Sequence, residues 1–185
     1  MDYPRVTEVL RYYTGYDNVP QNILDNASRR GRQVHALCAG LAKGEWIPDE
    51  IIDEAYQGYI KSFRQWSDAQ VEKFPIIETR MNDGDFKYTG QIDFVVKGKD
   101  GELYLVDIKT SAKPQKTYPL QIAAYENLLR KFNIQVKGAF LVYLKKNGDF
   151  PDIHFMEDLT REFSVFLCAL ECWHYFNKKR KDDEL

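Results

Sequence analysis

The chain has 185 residues, of which 44% are hydrophobic and 29% are charged, and its formal net charge is −2. This length and composition are typical of one compact soluble domain with a hydrophobic core. They exclude a membrane-spanning protein, which needs about 18 consecutive apolar residues, and a uniformly basic nucleic-acid-binding protein.

The first third of the chain is predicted to be mainly helical. A short helix is expected over residues 6–13, and a tyrosine-rich loop follows it. Longer helices are expected over residues 23–43, with Gly31 as a possible break and Gly44 as the stop, and over residues 49–72. The apolar residues of the last helix recur at helical spacing and are expected to pack in the core.

The remainder of the chain is predicted to form strands and two further helices. In chain order these are strands over 74–79, 88–96 and 103–108, a helix over 119–132, a strand over 139–144 and a helix over 159–177. A strand–helix–strand unit of this length favours a right-handed crossover and a parallel strand pair. The expected fold is α/β: a mixed β-sheet core with the order αβββαβ, flanked by helices and preceded by a helical N-terminal region.

The chain contains no internal repeat and no low-complexity linker. We therefore predict a single domain over residues 1–185. Within it, 1–72 is the mainly helical N-terminal region, 73–145 is the αβ core, and 146–185 contains a C-terminal helix and a charged tail.

The cysteines indicate the compartment. Cys38, Cys168 and Cys172 are scattered and odd in number, which argues against a disulfide framework and is typical of a reducing environment. Without a second cysteine pair nearby, Cys168 and Cys172 are interpreted as small apolar helix residues rather than zinc ligands. The N-terminus has no apolar stretch of the signal-peptide type, so the expected location is the cytoplasm.

Two apolar strands around a glycine-rich turn are predicted to form a β-hairpin. The turn signal is Asp100-Gly101, which favours a tight connection between antiparallel strands. With the turn centred near residue 100, Val95 is expected to face Leu105. A slip of one residue would reverse the face of every side chain on one strand.

The same register sets Asp93 opposite Asp107, with β-carbons about 5 Å apart. Lys109 lies two residues beyond Asp107 and therefore points to the same face. Two facing carboxylates repel each other, and burial increases that cost, so folding alone does not favour the pair. A divalent cation between them removes the repulsion, and carboxylate oxygens suit Mg²⁺ or Mn²⁺.

We therefore predict a site for phosphodiester hydrolysis with Asp93, Asp107 and Lys109 as its catalytic residues. The metal would polarise a phosphoryl oxygen and lower the pKa of a bound water. Lys109 would stabilise the charge that develops on the phosphoryl group or, if its pKa is depressed, transfer a proton. The alternative is an exposed ion pair of Asp107 and Lys109 at a strand end.

Four short motifs follow one another along the chain. They are Gly31-Arg32-Gln33-Val34-His35, Gly90-Gln91-Ile92-Asp93, Leu105-Val106-Asp107-Ile108-Lys109-Thr110 and Gln121-Ile122-Ala123-Ala124-Tyr125. In this order they resemble the PD-(D/E)xK nuclease superfamily, and its RecB-like exonuclease branch most of all. The likeness covers about residues 25–145; the combination is specific, although no single motif is.

The resemblance implies a restriction-endonuclease-like fold and a metal-dependent deoxyribonuclease, of the exonuclease type. It implies that His35, Asp93 and Asp107 ligate Mg²⁺ or Mn²⁺ and that the backbone carbonyl of Ile108 adds a ligand. The alternative for the histidine is a side chain packed among apolar neighbours of its own helix.

The resemblance also implies a supporting or DNA-binding set. Glu78 matches an acidic position, with a surface or salt-bridged residue as the alternative. Gln121 and Tyr125 lie four residues apart on one helical face, where they would contact DNA or brace the site, unless Tyr125 only fills the core. Arg32 and Thr110 complete this set.

The sequence departs from the motifs of the superfamily in two respects. Ile92 stands before Asp93, at the position where the superfamily name has proline. A residue other than proline is common at this position in the RecB-like branch. The cysteine cluster that holds an iron–sulfur centre in some relatives is missing, so no iron–sulfur cluster is expected. The chain therefore looks like the smaller members of the branch, which are often encoded by phages. For a phage protein the expected location is the host cytoplasm. A Walker-type phosphate loop is also missing, so the chain is not a helicase motor.

Three functions stay open. The first is a DNA nuclease acting on double-stranded ends or on single strands, with Tyr12, Tyr13, Tyr16 and Tyr118 as candidates for stacking on bases and a recombination or replication protein as a possible partner. The others are a non-catalytic nucleic-acid-binding or assembly subunit and a different metal-dependent hydrolase.

Local basic patches would bind DNA, or else form solvated charged surfaces. These patches are the arginines of 29–32, Lys113 with Lys116, and residues 178–181.

Overall fold

A helical N-terminal region leads into a mixed sheet, as the sequence predicts. The computed structural model describes residues 3–111 and 113–177, and the basic patch at 178–181 lies outside them. The helices are α1 (Val6–Leu10), α2 (Gln21–Ala42), α3 (Glu54–Gln70), α4 (Thr117–Lys131) and α5 (Thr160–Asn177), with short 3₁₀ turns at Arg11–Tyr13, Tyr16–Asn18 and Asp49–Ile51. The strands are β1 (Val71–Asp83), β2 (Tyr88–Gly98), β3 (Leu103–Lys109), β4 (Gly138–Tyr143) and β5 (Asp152–Met156).

The five strands are ordered β1-β2-β3-β4-β5 in one sheet. All neighbours are antiparallel except β3 and β4, which are parallel and joined through α4. The predicted parallel pair and the α/β mixed sheet are therefore confirmed. Strand β5 was not predicted, because it is a short edge strand whose largely exposed side chains do not alternate.

Two hydrophobic clusters lie on opposite faces of the sheet. One contains apolar residues of α1, α4 and α5, and the other contains apolar residues of α2 and α3. The central strands contribute alternately, so that Val95 and Leu105 belong to the first cluster while Phe94 and Val106 belong to the second. Strands β2 and β3 are consequently buried on both faces.

The hairpin between β2 and β3 has the predicted register. Val95 pairs with Leu105, and Gly101 in the turn has φ +88, a left-handed conformation that glycine adopts without strain. Extended by one pair beyond Phe94 and Val106, this register sets residues 93 and 107 opposite each other.

Helix α2 runs unbroken through Gly31 from Gln21 to Ala42, so the possible break there was wrong. A glycine inside a helix costs about 1 kcal/mol, and burial of Val34 and Cys38 on the same helix offsets that cost. Gly44 has φ +82 and follows the end of the helix, as predicted. Among the described helices, none has the length and apolar character needed to cross a membrane.

Candidate metal centre

Three carboxylates lie in one row across strands β1, β2 and β3. Ile77 of β1 pairs with Phe94 of β2, so the next residues on the two strands, Glu78 and Asp93, face each other. The hairpin register in turn sets Asp93 opposite Asp107. Such a row is unfavourable by itself, since like charges on adjacent strands repel.

Glu78 has a strained backbone and an incompletely satisfied side chain. Its φ is +45, a left-handed conformation that costs a non-glycine residue about 1–3 kcal/mol. Oε2 accepts a hydrogen bond from Gln91 Nε2, whereas Oε1 is buried without a hydrogen-bond partner among the described residues. Backbone strain and a buried oxygen without a hydrogen bond at one residue indicate a functional position.

His35 projects from α2 onto this row. Its Nδ1 lies 3.3 Å from Asp93 Oδ1 and 3.6 Å from Glu78 Oε1. One ligand atom from each of His35, Glu78 and Asp93 falls within 4.8 Å of the others. The structure thus places the histidine against carboxylates, and it brings Glu78, expected only in a supporting role, into the centre of the cluster.

The proton on His35 partly neutralises the carboxylates. Burial by itself would lower the pKa of His35, but Asp93 and Glu78 outweigh burial and raise that pKa to about 10. At neutral pH the metal-free protein therefore holds a cation at the point where a divalent ion would sit.

The second oxygen of Asp93 is fixed by the neighbouring strand. Ile108 N donates a 2.9 Å hydrogen bond to Asp93 Oδ2, which leaves Oδ1 directed at His35. The backbone of Ile108 is therefore adjacent to the cluster, and ligation by its carbonyl stays a prediction.

Asp107 and Lys109 form a buried ion pair beside this cluster. Lys109 Nζ lies 2.6 Å from Asp107 Oδ2, with side chains only 12% and 2% exposed, so the alternative of an exposed ion pair at a strand end is wrong. The approach does not have hydrogen-bond geometry, and Asp107 Oδ2 has no hydrogen-bond donor among the described residues.

Gln121 of α4 links both members of the pair. Its Nε2 donates to Asp107 Oδ1 at 3.2 Å and to the Tyr125 hydroxyl at 3.0 Å, while its Oε1 accepts from Lys109 Nζ at 3.1 Å. Gln121 and Tyr125 thus act from one helical face. The Lys109 ammonium also lies 4.2 Å from the ring centroid of Tyr118, which is on α4 like Gln121.

Burial and charge set the protonation of this pair. Burial raises the pKa of Asp107, an effect that Lys109 opposes and Asp93 reinforces. Burial would lower the pKa of Lys109, but Asp107 and Asp93 outweigh it and the pKa is raised. Lys109 is therefore a cation in the metal-free protein. The predicted alternative, in which a lysine with a depressed pKa transfers a proton, is not supported in that state.

The donor set fits a divalent cation. Two buried carboxylate oxygens, Glu78 Oε1 and Asp107 Oδ2, have no hydrogen-bond partner among the described residues, and they flank the side chains of Asp93 and His35. A set of several carboxylate oxygens and one imidazole suits Mg²⁺ or Mn²⁺. Structural zinc sites, in contrast, are rich in cysteine sulfur.

Two clefts meet at this centre. The first, with a volume of about 630 Å³, is lined by the cluster and by basic residues from several elements; we call it the basic cleft, after Arg5, Arg32, Lys43 and Arg80. The second, of about 620 Å³, is lined by Lys109 and Thr110, by the cations Arg11 and Arg30, and by several apolar residues; we call it the second cleft. Both are lined by Gly31 and His35 of α2, so the two clefts are adjacent.

Some of the residues predicted to bind DNA or support the site line the two clefts, and others do not. Arg32 lines the basic cleft and Thr110 the second cleft, where Arg30 Nε lies 3.4 Å from Thr110 Oγ1. Lys113 and Lys116 line neither cleft, and nor do Tyr12 and Tyr13.

Arg5 was not anticipated in the basic cleft. It reaches the cleft because its backbone bridges to Thr89 on β2, a long-range contact that leaves no signal in the local sequence. Lys43 and Arg80 likewise come from elements that are distant in sequence.

The fold and the site together define an α/β nuclease of the restriction-endonuclease-like class. The chain belongs to the PD-(D/E)XK nuclease superfamily, whose model matches residues 16–172. A search of curated proteins gave no match.

Two solved structures are similar to this chain at low identity. One, described as the crystal structure of SSO0001, has 18% identity and a TM-score of 0.41, over 56% of this chain and 52% of the other, about half its length. The second, LHK-Exo in complex with dAMP, has 15% identity and a TM-score of 0.43, over 94% of this chain and 90% of the other.

Proposed function

We propose that this protein is a DNA nuclease of the RecB-like branch that hydrolyses phosphodiester bonds with Mg²⁺ or Mn²⁺ and acts as an exonuclease. The observation that carries the proposal is the buried Asp107–Lys109 pair beside the cluster of His35, Glu78 and Asp93. The order of the four sequence motifs supports the branch.

His35, Glu78, Asp93 and Asp107 are the residues that would hold the cation. When bound, a divalent ion supplies Lewis acidity, which polarises a phosphoryl oxygen and lowers the pKa of a water. The buried oxygens Glu78 Oε1 and Asp107 Oδ2 accept no hydrogen bond among the described residues, and this supports the assignment, because a metal ion would satisfy them.

Lys109 provides a positive charge at the same place. Its ammonium is fixed by Asp107 and Gln121 and covered by the ring of Tyr118, so it needs little reorganisation during the reaction. A fixed cation in a site with restricted water stabilises the charge that develops on the phosphoryl oxygens. Gln121 acts as a positioning residue, since it holds both Lys109 and Asp107.

The proposal is tested by digestion of end-labelled linear DNA and of closed circular DNA in Mg²⁺, in Mn²⁺ and in EDTA. We expect metal-dependent loss of linear DNA from its ends, no cleavage of closed circles, and no activity for Asp107→Asn. The matched control is Asp152→Asn, whose carboxylate pairs with Lys145 on the surface and whose loss should leave the rate unchanged.

Each part of the proposal can be contradicted separately. Full activity in EDTA contradicts the metal mechanism, and cleavage of closed circles contradicts the dependence on ends. Tight DNA binding without any hydrolysis would instead indicate a non-catalytic binding subunit.

A further inference from the structure

Helix α5 carries apolar residues on two faces. Its inner face packs against α1 and α4 in the core. Its outer face carries four exposed residues, which we call the outer stripe: Val165, Cys168, Cys172 and Tyr175. The outer face of a surface helix is ordinarily polar, and a helix that is apolar on both faces is ordinarily buried on both. The outer stripe is therefore a surface that another chain is expected to cover.

The spacing within the outer stripe is that of a contact between two helices. Its members are separated by three, four and three residues, which is the 3.5-residue repeat with which one helix packs along another. The polar residues Ser164 and Glu171 each precede a member of the stripe by one position. Polar residues occupy the same positions at the margins of paired helices.

The outer stripe is also symmetrical about position 170. Val165 and Tyr175 each lie five residues from this position, and Cys168 and Cys172 each lie two residues from it. In a twofold contact, residue i of one copy meets residue j of the other, and j meets i. A second α5 packed antiparallel on the first, with the twofold axis at position 170, therefore sets Val165 against Tyr175 and Cys168 against Cys172.

A groove beside the outer stripe widens this apolar surface. It has a volume of about 420 Å³ and lies between α5 and the 3₁₀ turn that follows α1, where Tyr12, Tyr13, Cys172 and Phe176 contribute to its lining. The ring centroid of Phe176 is 5.1 Å from that of Tyr175, so the groove and the stripe form one surface. Tyr12 and Tyr13, which the sequence suggested for stacking on bases, belong to this surface.

Four aromatic side chains supply most of the exposed apolar area. The exposed fractions are 71% for Tyr12, 52% for Tyr13, 70% for Tyr175 and 80% for Phe176. At about 200 Å² for each side chain, they expose about 550 Å² together. A stable interface covers about 800 Å² on each partner, and about 65% of that area is apolar in homodimers, which is about 500 Å². The surface therefore supplies the apolar area that one homodimer contact needs.

We propose that a second copy of this chain covers the surface, with the two α5 helices antiparallel about a twofold axis at position 170. Neither the outer stripe nor Phe176 lines the two clefts at the metal centre, so the contact does not use them. The inference is independent of the proposed function.

The first test measures mass by light scattering after gel filtration in reducing buffer, over a range of micromolar concentrations. The wild-type protein should have twice the 21.7 kDa mass of the chain. Tyr175→Glu should raise the dissociation constant of the dimer by about a hundredfold or more, because it places a charge against Val165 of the second copy. The matched control is Trp46→Glu, whose side chain is 87% exposed outside the stripe and the groove; it should leave the mass unchanged. Circular dichroism verifies that both variants are folded.

The second test uses the cysteines to determine the orientation of the helices. Within one helix, β-carbons four residues apart are separated by about 5–6 Å, whereas a disulfide needs about 3.5–4.5 Å, so a bridge inside α5 is disfavoured. Mild oxidation of the wild-type protein should instead join two chains, because Cys168 meets Cys172 of the second copy. Cys38 is buried and should not react.

Single-cysteine variants make this prediction specific. In an antiparallel pair, identical cysteines are offset by four residues, about 6 Å along the axis. Oxidation of Cys168→Ser alone or of Cys172→Ser alone should therefore leave single chains, whereas an equal mixture of the two variants should give linked chains. Electrophoresis without reducing agent measures the yield.

Two results would overturn the inference. One is a wild-type mass of a single chain at every concentration, which would mean that this surface does not bind a second copy. The other is linking of each single-cysteine variant by itself as efficiently as in the mixture, which would exclude the antiparallel pair. Because Tyr175 lines neither cleft at the metal centre, Tyr175→Glu should keep the metal-dependent cleavage of the wild type, so loss of the dimer and failure of the proposed function are distinguishable.

Discussion

Gly90 lies against Tyr125 so closely that a β-carbon at residue 90 would be 2.6 Å from Tyr125 Cε1. Leu128, one turn further along α4, is 2.9 Å from the same position. The Tyr125 hydroxyl accepts a hydrogen bond from Gln121, which also donates to Asp107. The absence of a side chain on β2 therefore sets how closely α4 approaches the carboxylates.

Substitution Gly90→Ala should destabilise the protein by about 1–3 kcal/mol, because the added methyl group overpacks the contact between β2 and α4. It should also lower kcat, since α4 carries Gln121. Urea unfolding and initial cleavage rates measure the two effects.

Gly31→Ala is the matched control for stability. Its added β-carbon meets no atom within 4 Å inside helix α2, so it should stabilise the protein by about 0.5–1 kcal/mol. Equal effects of the two glycine substitutions would contradict the assigned role of Gly90.

Substitution Lys109→Met should lower kcat by about two to three orders of magnitude, because it removes the cation next to Asp107 while keeping the apolar stem. Affinity for Mn²⁺ should be unchanged or tighter, since a positive charge near the ligands is lost. Steady-state cleavage and Mn²⁺ titration measure these quantities.

The control is Lys97→Met, on β2 with a partly exposed side chain paired to Glu72, and it should retain full activity. Parallel loss of Mn²⁺ binding and cleavage in Lys109→Met would instead assign the lysine a structural role at the metal centre.

Metal binding should displace the proton from His35. The pKa of His35 is about 10 in the folded metal-free protein, against 6.5 for a free histidine. Because the folded value is the higher one, this proton's contribution to stability is complete below pH 6.5 and is lost as the pH rises through about 10. Mn²⁺ affinity should therefore rise about tenfold per pH unit between about pH 7 and 8.5.

Titration calorimetry in buffers of different protonation enthalpy counts the released proton. His35→Gln should abolish both the proton release and most of the pH dependence, whereas His154→Gln on the edge strand β5 should preserve them. A wild-type affinity that does not change with pH would rule out ligation by His35.

The parts of this structure that follow from local patterns could be predicted from the sequence. The turn at Asp100-Gly101 determines the register of β2 and β3, and that register brings Asp93 and Asp107 to the same row. The crossover through α4 likewise follows from the length of the segment between two apolar runs.

The remaining parts depend on long-range packing or on irregular backbone. The position of Glu78 depends on its φ of +45 and on register shifts near the start of β1, neither of which a residue pattern encodes. Strand β5 depends on pairing with β4 rather than on alternation of its own side chains. The basic cleft combines Arg5, Lys43 and Arg80 from separate elements, and only the tertiary fold brings them together.

Tyr118 is expected to hold Lys109 in place through its ring. A cation–π contact contributes about 1–2 kcal/mol when it is shielded from solvent, as here, so Tyr118→Leu should lower kcat by about five- to thirtyfold at saturating substrate. Tyr118→Phe keeps the ring and should stay within about twofold of the wild type, although it loses the contact between the Tyr118 hydroxyl and Ser111 Oγ at 3.2 Å. Equal impairment of both variants would assign the effect to the hydroxyl.

The most direct measurement is an anomalous difference map from crystals soaked in Mn²⁺. We predict a peak about 2.0–2.2 Å from side-chain atoms of His35, Glu78, Asp93 and Asp107. Failure of Mn²⁺ to bind, or a peak that none of these carboxylates touches, would contradict the assignment of this cluster as the metal centre.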